Sequence, residues 1–171
     1  MKNEAQFKSL IKKSIRAQKG FSLSLAAPMI SGLPDLYCVL PSYIPVLLEA
    51  KWLGTIERNT FKRKIPFTPL QVVWIQECHE VSPYSAMGVV GLIYKGEIHC
   101  ALVEYGTELF NTFDHTFIDR CSYVTYNKDK KTLDILELFA KVPIPRIREL
   151  SVKGLIDLPN GPGANQTTLA A

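Results

Sequence analysis

The segment SGLPDLYCVLPSYIPVLLEAKW, residues 31–52, decides the fold predicted for this chain. Its two apolar runs are separated by a proline-containing turn, a pattern that predicts a pair of β-strands. Three charged residues interrupt the pattern at one end of the pair. Asp35 opens the first strand, and Glu49 and Lys51 close the second. Strands that serve only a core rarely carry such charges, so these residues indicate a functional site.

The spacing of these residues places them on one face of the hairpin. Glu49 and Lys51 are two residues apart, so they point the same way along a strand. A turn centred on Ser42 places Asp35 opposite Glu49, and a turn centred on Tyr43 places it opposite Lys51. Both registers keep all three charges on one face, whereas a slip by one residue would separate Asp35 from the other two.

The chemistry of this set suits a divalent cation. Two carboxylates that converge in a partly buried place repel each other unless a cation joins them. Oxygen ligands without a nearby His or Cys favour Mg²⁺ or Mn²⁺. A neighbouring lysine can orient a water or stabilise charge on a phosphate, and the whole set provides what phosphodiester hydrolysis needs. Taken singly, Asp35 could be a turn residue and Glu49 and Lys51 a solvent-facing pair; their combination favours a site.

The composition indicates one intracellular globular domain with a mildly basic surface. The chain has 171 residues, of which 47% are hydrophobic, and a net charge of +4, which permits a nucleic-acid partner without requiring one. The four cysteines are too far apart in sequence for a zinc knuckle, and free thiols are expected. Neither a signal peptide nor a membrane-spanning run is evident, so a cytoplasmic protein is expected.

Apolar spacing and turn residues predict helices and strands in alternation. Helices are predicted over residues 4–18, 69–80 and 132–142, and strands over 21–27, 34–40, 44–51, 86–94 and 97–105. Leu70, Val73, Trp74, Cys78 and Val81 define the expected buried face of the second helix. Residues 53–67 have no clear period and are interpreted as a basic loop, and 106–131 give no clear pattern.

Interleaved helices and strands predict an α/β (α+β) domain around a central mixed β-sheet flanked by helices. Residues 159–171 are poor in large apolar side chains and are expected to be a disordered tail. The last five residues, TTLAA, end as bacterial degradation tags do, but the composition favours a short low-complexity terminus.

Three short motifs resemble the PD-(D/E)xK nuclease superfamily. Pro34-Asp35 precedes an apolar strand, and Glu49-Ala50-Lys51 follows it. The chain is also similar to the virus-type replication–repair nuclease branch (VRR-NUC). This similarity rests on Gly32, on an acid in the first helix and on the sequence TPLQ at residues 68–71. The resemblance covers about residues 4–105. It implies a restriction-endonuclease-like core in residues 1–105, with the order α-β-β-β-α-β-β, and leaves 106–158 as a C-terminal extension of the same domain.

The resemblance also implies roles for individual residues. Asp35, Glu49 and the carbonyl of Ala50 would ligate Mg²⁺, or Mn²⁺ in its place. Lys51 would position the attacking water or stabilise the phosphate in the transition state. Gln71 would lie at the edge of the site, and Glu4 would be an additional acid facing the metal.

Two of these roles have structural alternatives. Glu4 lies at the end of the helix's apolar stripe, but an acid in a first turn also favours the helix dipole. Gln71 lies three residues after Thr68, which is the spacing of a capping box. Both interpretations stay open for each residue.

Basic residues near the site indicate contact with a nucleic-acid backbone. Arg58, Lys62, Arg63 and Lys64 follow the ExK strand and could clamp DNA, although a solvated loop explains them equally well. A second basic strip on the first helix favours a solvated face; it consists of Lys8, Lys12, Lys13 and Arg16.

The expected function is a magnesium-dependent endonuclease that cuts branched DNA, such as a Holliday junction. Such a substrate favours a homodimer. Two alternatives remain at this point: a nuclease for linear duplex or single-stranded DNA, and a non-catalytic DNA-binding module on the same fold.

Overall fold

The computed structural model describes residues 1–25 and 32–146. Within these residues the chain forms five helices and nine strands. The helices are α1 (Glu4–Ala17), α2 (Pro69–Val81), α3 (Glu108–Asn111), α4 (Phe117–Arg120) and α5 (Ile135–Ala140). The strands are β1 (Phe21–Ser24), β2 (Leu36–Val39), β3 (Val46–Ile56), β4 (Lys62–Lys64), β5 (Ala86–Tyr94), β6 (Glu97–Val103), β7 (Thr112–Asp114), β8 (Ser122–Asn127) and β9 (Thr132–Leu133).

A seven-stranded mixed sheet forms the centre of the fold, in the order β1-β2-β3-β5-β6-β8-β9. β3 pairs antiparallel with β2 and parallel with β5, and the other neighbours in this sheet are antiparallel. β4 and β7 form a separate two-stranded antiparallel ribbon. The predicted mixed α/β class is therefore confirmed.

The sheet has a core on each face. Along β5, Met87 and Val89 belong to one apolar cluster, whereas Val90 and Leu92 belong to the other, as alternation in a strand requires. The first cluster contains the buried side of α1. The second contains Ile75 of α2 and the phenylalanines that follow β6. α1 and α2 therefore cover opposite faces of the sheet.

The contact between α1 and the sheet depends on a glycine in β5. A Cβ atom at Gly91 would lie 2.4 Å from Cε2 of Phe7. The absence of a side chain lets the Phe7 ring lie directly on the strand. α1 is thereby held close to the sheet, with its first two turns near the start of β2.

The β2–β3 hairpin adopts the predicted register with the turn centred on Ser42. Leu36 pairs with Leu48, and Cys38 pairs with Val46. Continuing this register by one residue brings Asp35 opposite Glu49. Ser42 has a φ of +71°, in agreement with its position in a tight turn.

The predicted basic loop over 53–67 is wrong in two respects. β3 continues to Ile56, with a shift in its pairing to β5 between Trp52 and Thr55, and Lys62–Lys64 form β4. The partner of β4 lies far downstream in β7, within the segment that gave no clear pattern. A three-residue strand paired with a distant segment leaves no periodic signal in the sequence.

The predicted buried face of α2 is wrong at three of its five positions and right at Cys78. Leu70, Val73 and Val81 are 50%, 47% and 88% exposed, whereas Ile75 is fully buried. Val72 and Cys78 pack partly against the same core as Ile75. Apolar residues occur all around this helix, so their spacing did not determine which side faces the sheet.

The C-terminal part of the described chain continues the main sheet. β8 and β9 occupy the end opposite to β1. The helix predicted over 132–142 is shorter than expected, because Thr132–Leu133 form β9 and Asp134 caps α5 by accepting a hydrogen bond from the N–H of Glu137. The predicted tail, 159–171, lies outside the described residues. No helix in the two described ranges is long and apolar enough to cross a membrane.

Candidate active site

β3 carries a buried ion pair at the point where β2 ends. Glu49 and Lys51 are only 1% and 6% exposed, and their side chains point to the α2 face of the sheet. Lys51 Nζ lies 2.8 Å from Glu49 Oε1. The same ammonium is 5.9 Å from the centre of the Phe67 ring. An acid and a base two residues apart therefore form a pair inside the protein rather than on a solvated surface.

Asp35 continues the pairing of the hairpin with its side chain. The main-chain register between β2 and β3 begins at Leu36 and Leu48. One residue before it, Asp35 Oδ2 accepts a hydrogen bond of 3.0 Å from the N–H of Ala50. The carboxylate thus occupies the edge of β3 that β2 no longer covers, and all three predicted residues Asp35, Glu49 and Lys51 meet there.

Glu49 has one oxygen with two donors and one oxygen without a partner among the described residues. Oε1 accepts hydrogen bonds from Lys51 Nζ and from Gln71 Nε2, the latter at 2.5 Å. Oε2 is buried and has no hydrogen-bond partner in the part of the chain that the structure describes. A buried carboxylate oxygen without a donor is costly, and such an atom calls for an explanation.

Burial makes the carboxyl group of Glu49 a weaker acid than an exposed glutamate. Removal from water raises the pKa of this carboxyl to about 7, and the negative charge of Asp35 acts in the same direction. The hydrogen bond from Lys51 opposes both effects without cancelling them. A cation next to Oε2 would favour the ionised form, because it would offset the cost of burying the charge.

Gln71 completes the capping box of α2 and also contacts Glu49. Its Oε1 accepts the N–H of Thr68, and its own N–H donates to Thr68 Oγ1, so the capping box of α2 is complete. Its Nε2 donates to Glu49. The start of α2 and the buried acid of β3 are joined by one amide side chain.

The loop before Asp35 lies against the same end of α2. Gly32 has a φ of +89°, and a Cβ atom at this position would lie 2.7 Å from Cβ of Leu70. Glycine therefore permits both the backbone conformation and the close approach.

α1 contributes a residue that sequence reasoning assigned to a solvated face. Lys8 Nζ lies 2.5 Å from Asp35 Oδ1 and 3.1 Å from Glu4 Oε1. Burial by itself would lower the pKa of Lys8, but the hydrogen bonds to Asp35 and Glu4 outweigh burial and raise it. The four-residue spacing of Glu4 and Lys8 indicated their ion pair in the sequence, but nothing there indicated the contact between Lys8 and Asp35. Glu4 reaches Asp35 through Lys8; its role as a metal ligand stays a prediction.

The oxygen ligands at this site fit a divalent cation that prefers oxygen, such as Mg²⁺. Asp35 and Glu49 provide two carboxylates, and Glu49 Oε2 has no other partner in the described ranges. The N–H of Ala50 points to the Asp35 edge of β3, so its carbonyl points to the same edge. The fit depends on this carbonyl, because no group of three or more His, Cys, Asp or Glu side chains in residues 1–25 and 32–146 could hold a metal ion.

The predicted DNA-binding residues lie on an exposed surface of the protein. Lys62, Arg63 and Lys64 are all exposed on β4, and Arg58 is exposed between β3 and β4. Phe67, three residues after Lys64, has its ring 5.9 Å from Lys51 Nζ, so the chain returns from β4 towards the carboxylates. We call this surface the basic ribbon: Arg58 together with β4 and its partner strand β7.

The histidines take no part in this arrangement. His99 is buried against the rings of Tyr94, Phe117 and Tyr123, and its Nε2 lies 3.3 Å from the carbonyl oxygen of Tyr94. His99 is therefore part of the core, and its Nδ1 has no hydrogen-bond partner within the described residues.

Comparison with known proteins adds no assignment. No protein-family model matches the chain, and no curated protein matches it at a significant level.

Proposed function

We propose that this protein is a magnesium-dependent endonuclease of the PD-(D/E)xK superfamily. One observation carries the proposal: Glu49 Oε2 is buried without a protein partner in the described residues, next to Asp35 and beside a buried lysine. A carboxyl group with this environment fits a cation ligand better than a structural ion pair, which would use both oxygens.

The element order supports a restriction-endonuclease-like core. Up to residue 103 the order is α1-β1-β2-β3-β4-α2-β5-β6. It differs from the order expected of the family by β4, which pairs outside the main sheet. The motif residues lie on β3 and just before β2, the two strands of the predicted hairpin.

The residues of the site divide the chemical work. Asp35, Glu49 and the carbonyl of Ala50 would hold Mg²⁺, which supplies a Lewis acid and lowers the pKa of a bound water. Lys51 would donate a hydrogen bond to the attacking water or to a phosphate oxygen. Gln71 holds Glu49 Oε1 and fixes the direction of Oε2. The product would carry a 5′-phosphate, as the family resemblance implies.

Branched DNA is the proposed substrate, cut by a homodimer. The resemblance to the VRR-NUC branch supports this choice, and the basic ribbon supports contact with a nucleic-acid backbone. The basic ribbon would bind phosphates on an arm of the substrate.

A non-catalytic DNA-binding module is the second candidate. The observation that favours it is the pairing of each carboxylate with a lysine, Asp35 with Lys8 and Glu49 with Lys51. These pairs neutralise the acids without a metal ion.

Cleavage assays distinguish the two candidates. The full chain would be incubated with end-labelled four-way junction, flap, linear duplex and single-stranded DNA, in Mg²⁺ or in EDTA. Lys51→Ala would be compared with Lys141→Ala, which removes a lysine paired with Glu137 on α5. We expect symmetric junction cleavage by wild type and Lys141→Ala in Mg²⁺ only. Cleavage of linear DNA alone would refute the substrate class, and binding without cleavage would support the module.

A further inference from the structure

We infer that Lys8 is a positioning residue that competes with the divalent cation for Asp35 and moves onto Glu4 when the cation binds. This inference rests on the proposed function, because it concerns the metal site of that function. It gives a role to a lysine that the family motif does not contain.

Lys8 occupies the one Asp35 oxygen that the main chain leaves available. Oδ2 of Asp35 is held by the N–H of Ala50, whereas Oδ1 accepts Lys8 Nζ. Asp35 and Glu49 would hold the cation together, so the cation would compete with Lys8 for the carboxylate of Asp35. Two positive charges on one carboxylate repel each other, so the ammonium and the divalent cation cannot both bind it at full strength.

The side chain of Lys8 can move while its helix stays in place. α1 is anchored by Phe7, Ile11 and Ile15, all fully buried. The Lys8 side chain is partly exposed, and its flexible four-carbon stem ends near the surface. Exchange of its partner therefore requires only rotation about side-chain bonds.

Glu4 provides the second position for the ammonium. It already contacts Lys8, and a glutamate four residues before a lysine is the favoured order on a helix. When Lys8 leaves Asp35, the contact with Glu4 keeps the ammonium beside the site. Glu4 would then act on the metal through Lys8, without ligating it.

The test measures metal affinity directly. Mn²⁺ binding to the full chain would be followed by electron paramagnetic resonance for wild type, Lys8→Met and Lys12→Met. Lys12 lies one turn further along α1 and contacts Ser24 Oγ, so its replacement removes the same charge without freeing a carboxylate. We expect Lys8→Met to bind Mn²⁺ about fivefold more tightly or better, the lower end of typical coupling between two sites, and Lys12→Met to match wild type.

Every other result overturns the inference, and each result identifies a different reason for the failure. Unchanged or weaker binding by Lys8→Met refutes competition while leaving the metal site intact. Equal tightening by both variants indicates a long-range charge effect. If wild type binds no Mn²⁺ and cleaves nothing, the proposed function fails together with the inference.

Two further measurements test the exchange onto Glu4. Glu4→Gln should weaken Mn²⁺ binding in the wild-type background and have no effect in Lys8→Met; an equal loss in both backgrounds would make Glu4 a ligand and refute the exchange. In unsubstituted protein, Mg²⁺ should shift the nuclear magnetic resonance signals of the Lys8 side chain and leave those of Lys12 in place. This readout does not depend on the folding of any variant, and the absence of a shift overturns the inference.

Discussion

Gln71 and Glu49 are joined by a hydrogen bond of 2.5 Å from Nε2 to Oε1, while the other end of the Gln71 amide caps α2. The first turn of a helix on one face of the sheet is thereby tied to the buried acid of the central strand. Movement of the start of α2 would move a donor away from Glu49. The stability of the helix and the geometry of the site share one side chain.

Replacement of Gln71 should affect both stability and cleavage, whereas replacement of Thr68 should affect stability alone. Gln71→Ala removes the donor to Glu49 and half of the capping box. Thr68→Ala removes the side-chain cap at a cost of about 1 kcal/mol, but the N–H of residue 68 still holds the Gln71 amide. Urea unfolding and junction cleavage would be measured for both. Equal losses of cleavage would show that Gln71 acts only through the helix.

Metal binding should weaken in acid because Glu49 must lose its proton. Burial raises the pKa of Glu49 to about 7, so the carboxylate form is a minority below that pH. The apparent Mn²⁺ affinity should rise with pH up to about 7 and then level off, with a limiting slope of about tenfold per pH unit on the acidic side. Titrations from pH 5.5 to 8.5 would check this, and a pH-independent affinity would contradict it.

The protonation of Glu49 should make the free energy of unfolding fall as pH rises, whereas metal affinity rises with pH. The folded pKa of Glu49 lies above the ordinary value of 4.5, so the folded chain binds the proton more tightly. The resulting stabilisation is complete below pH 4.5 and is lost as pH rises through about 7. In metal-free buffer, Glu49→Gln should therefore gain stability relative to wild type over this interval. Glu57→Gln, at an exposed position just beyond β3, is the matched control.

The basic ribbon should contribute to DNA affinity without reading sequence. Lys62→Ala and Lys64→Ala should each weaken binding to any duplex arm and lower the slope of log K against log salt by about 0.9 for a lost phosphate contact. Lys128→Ala, on an exposed residue after β8, should leave the slope unchanged. Fluorescence anisotropy at several salt concentrations gives the slopes. If a variant lost preference for particular DNA sequences while its salt slope stayed unchanged, the replaced lysine would contact bases.

The meeting of Asp35, Glu49 and Lys51 could be predicted because strand alternation is a local property. Both candidate registers gave the same face, so an uncertain turn did not matter. Lys8 could not be assigned in this way. Its contact with Asp35 depends on how α1 lies across the sheet, which is set by packing between distant segments, above all the fit of Phe7 against Gly91.

The wrong predictions for residues 53–67 and for the buried face of α2 have the same physical origin. β4 exists because β7 pairs with it, and neither strand is long enough to show a period. The orientation of α2 follows from the burial of Ile75 against the second core rather than from its own sequence, which is apolar on several sides. Elements defined by distant partners are poorly predicted from local spacing, whereas the capping box of α2 was recognisable from two residues.

Gly91→Ala should test the packing that brings Lys8 to the site. A methyl group at this position would meet the Phe7 ring at less than van der Waals distance, so α1 must shift or the strand must move. We expect a loss of about 1–3 kcal/mol in the free energy of unfolding, the usual cost of overpacking. Phe7→Leu should recover part of the loss in the double variant, because the smaller side chain leaves room for the methyl group. Urea unfolding of the two single variants and the double variant gives the coupling between the positions. Strictly additive losses would show that Phe7 does not determine how α1 lies on β5.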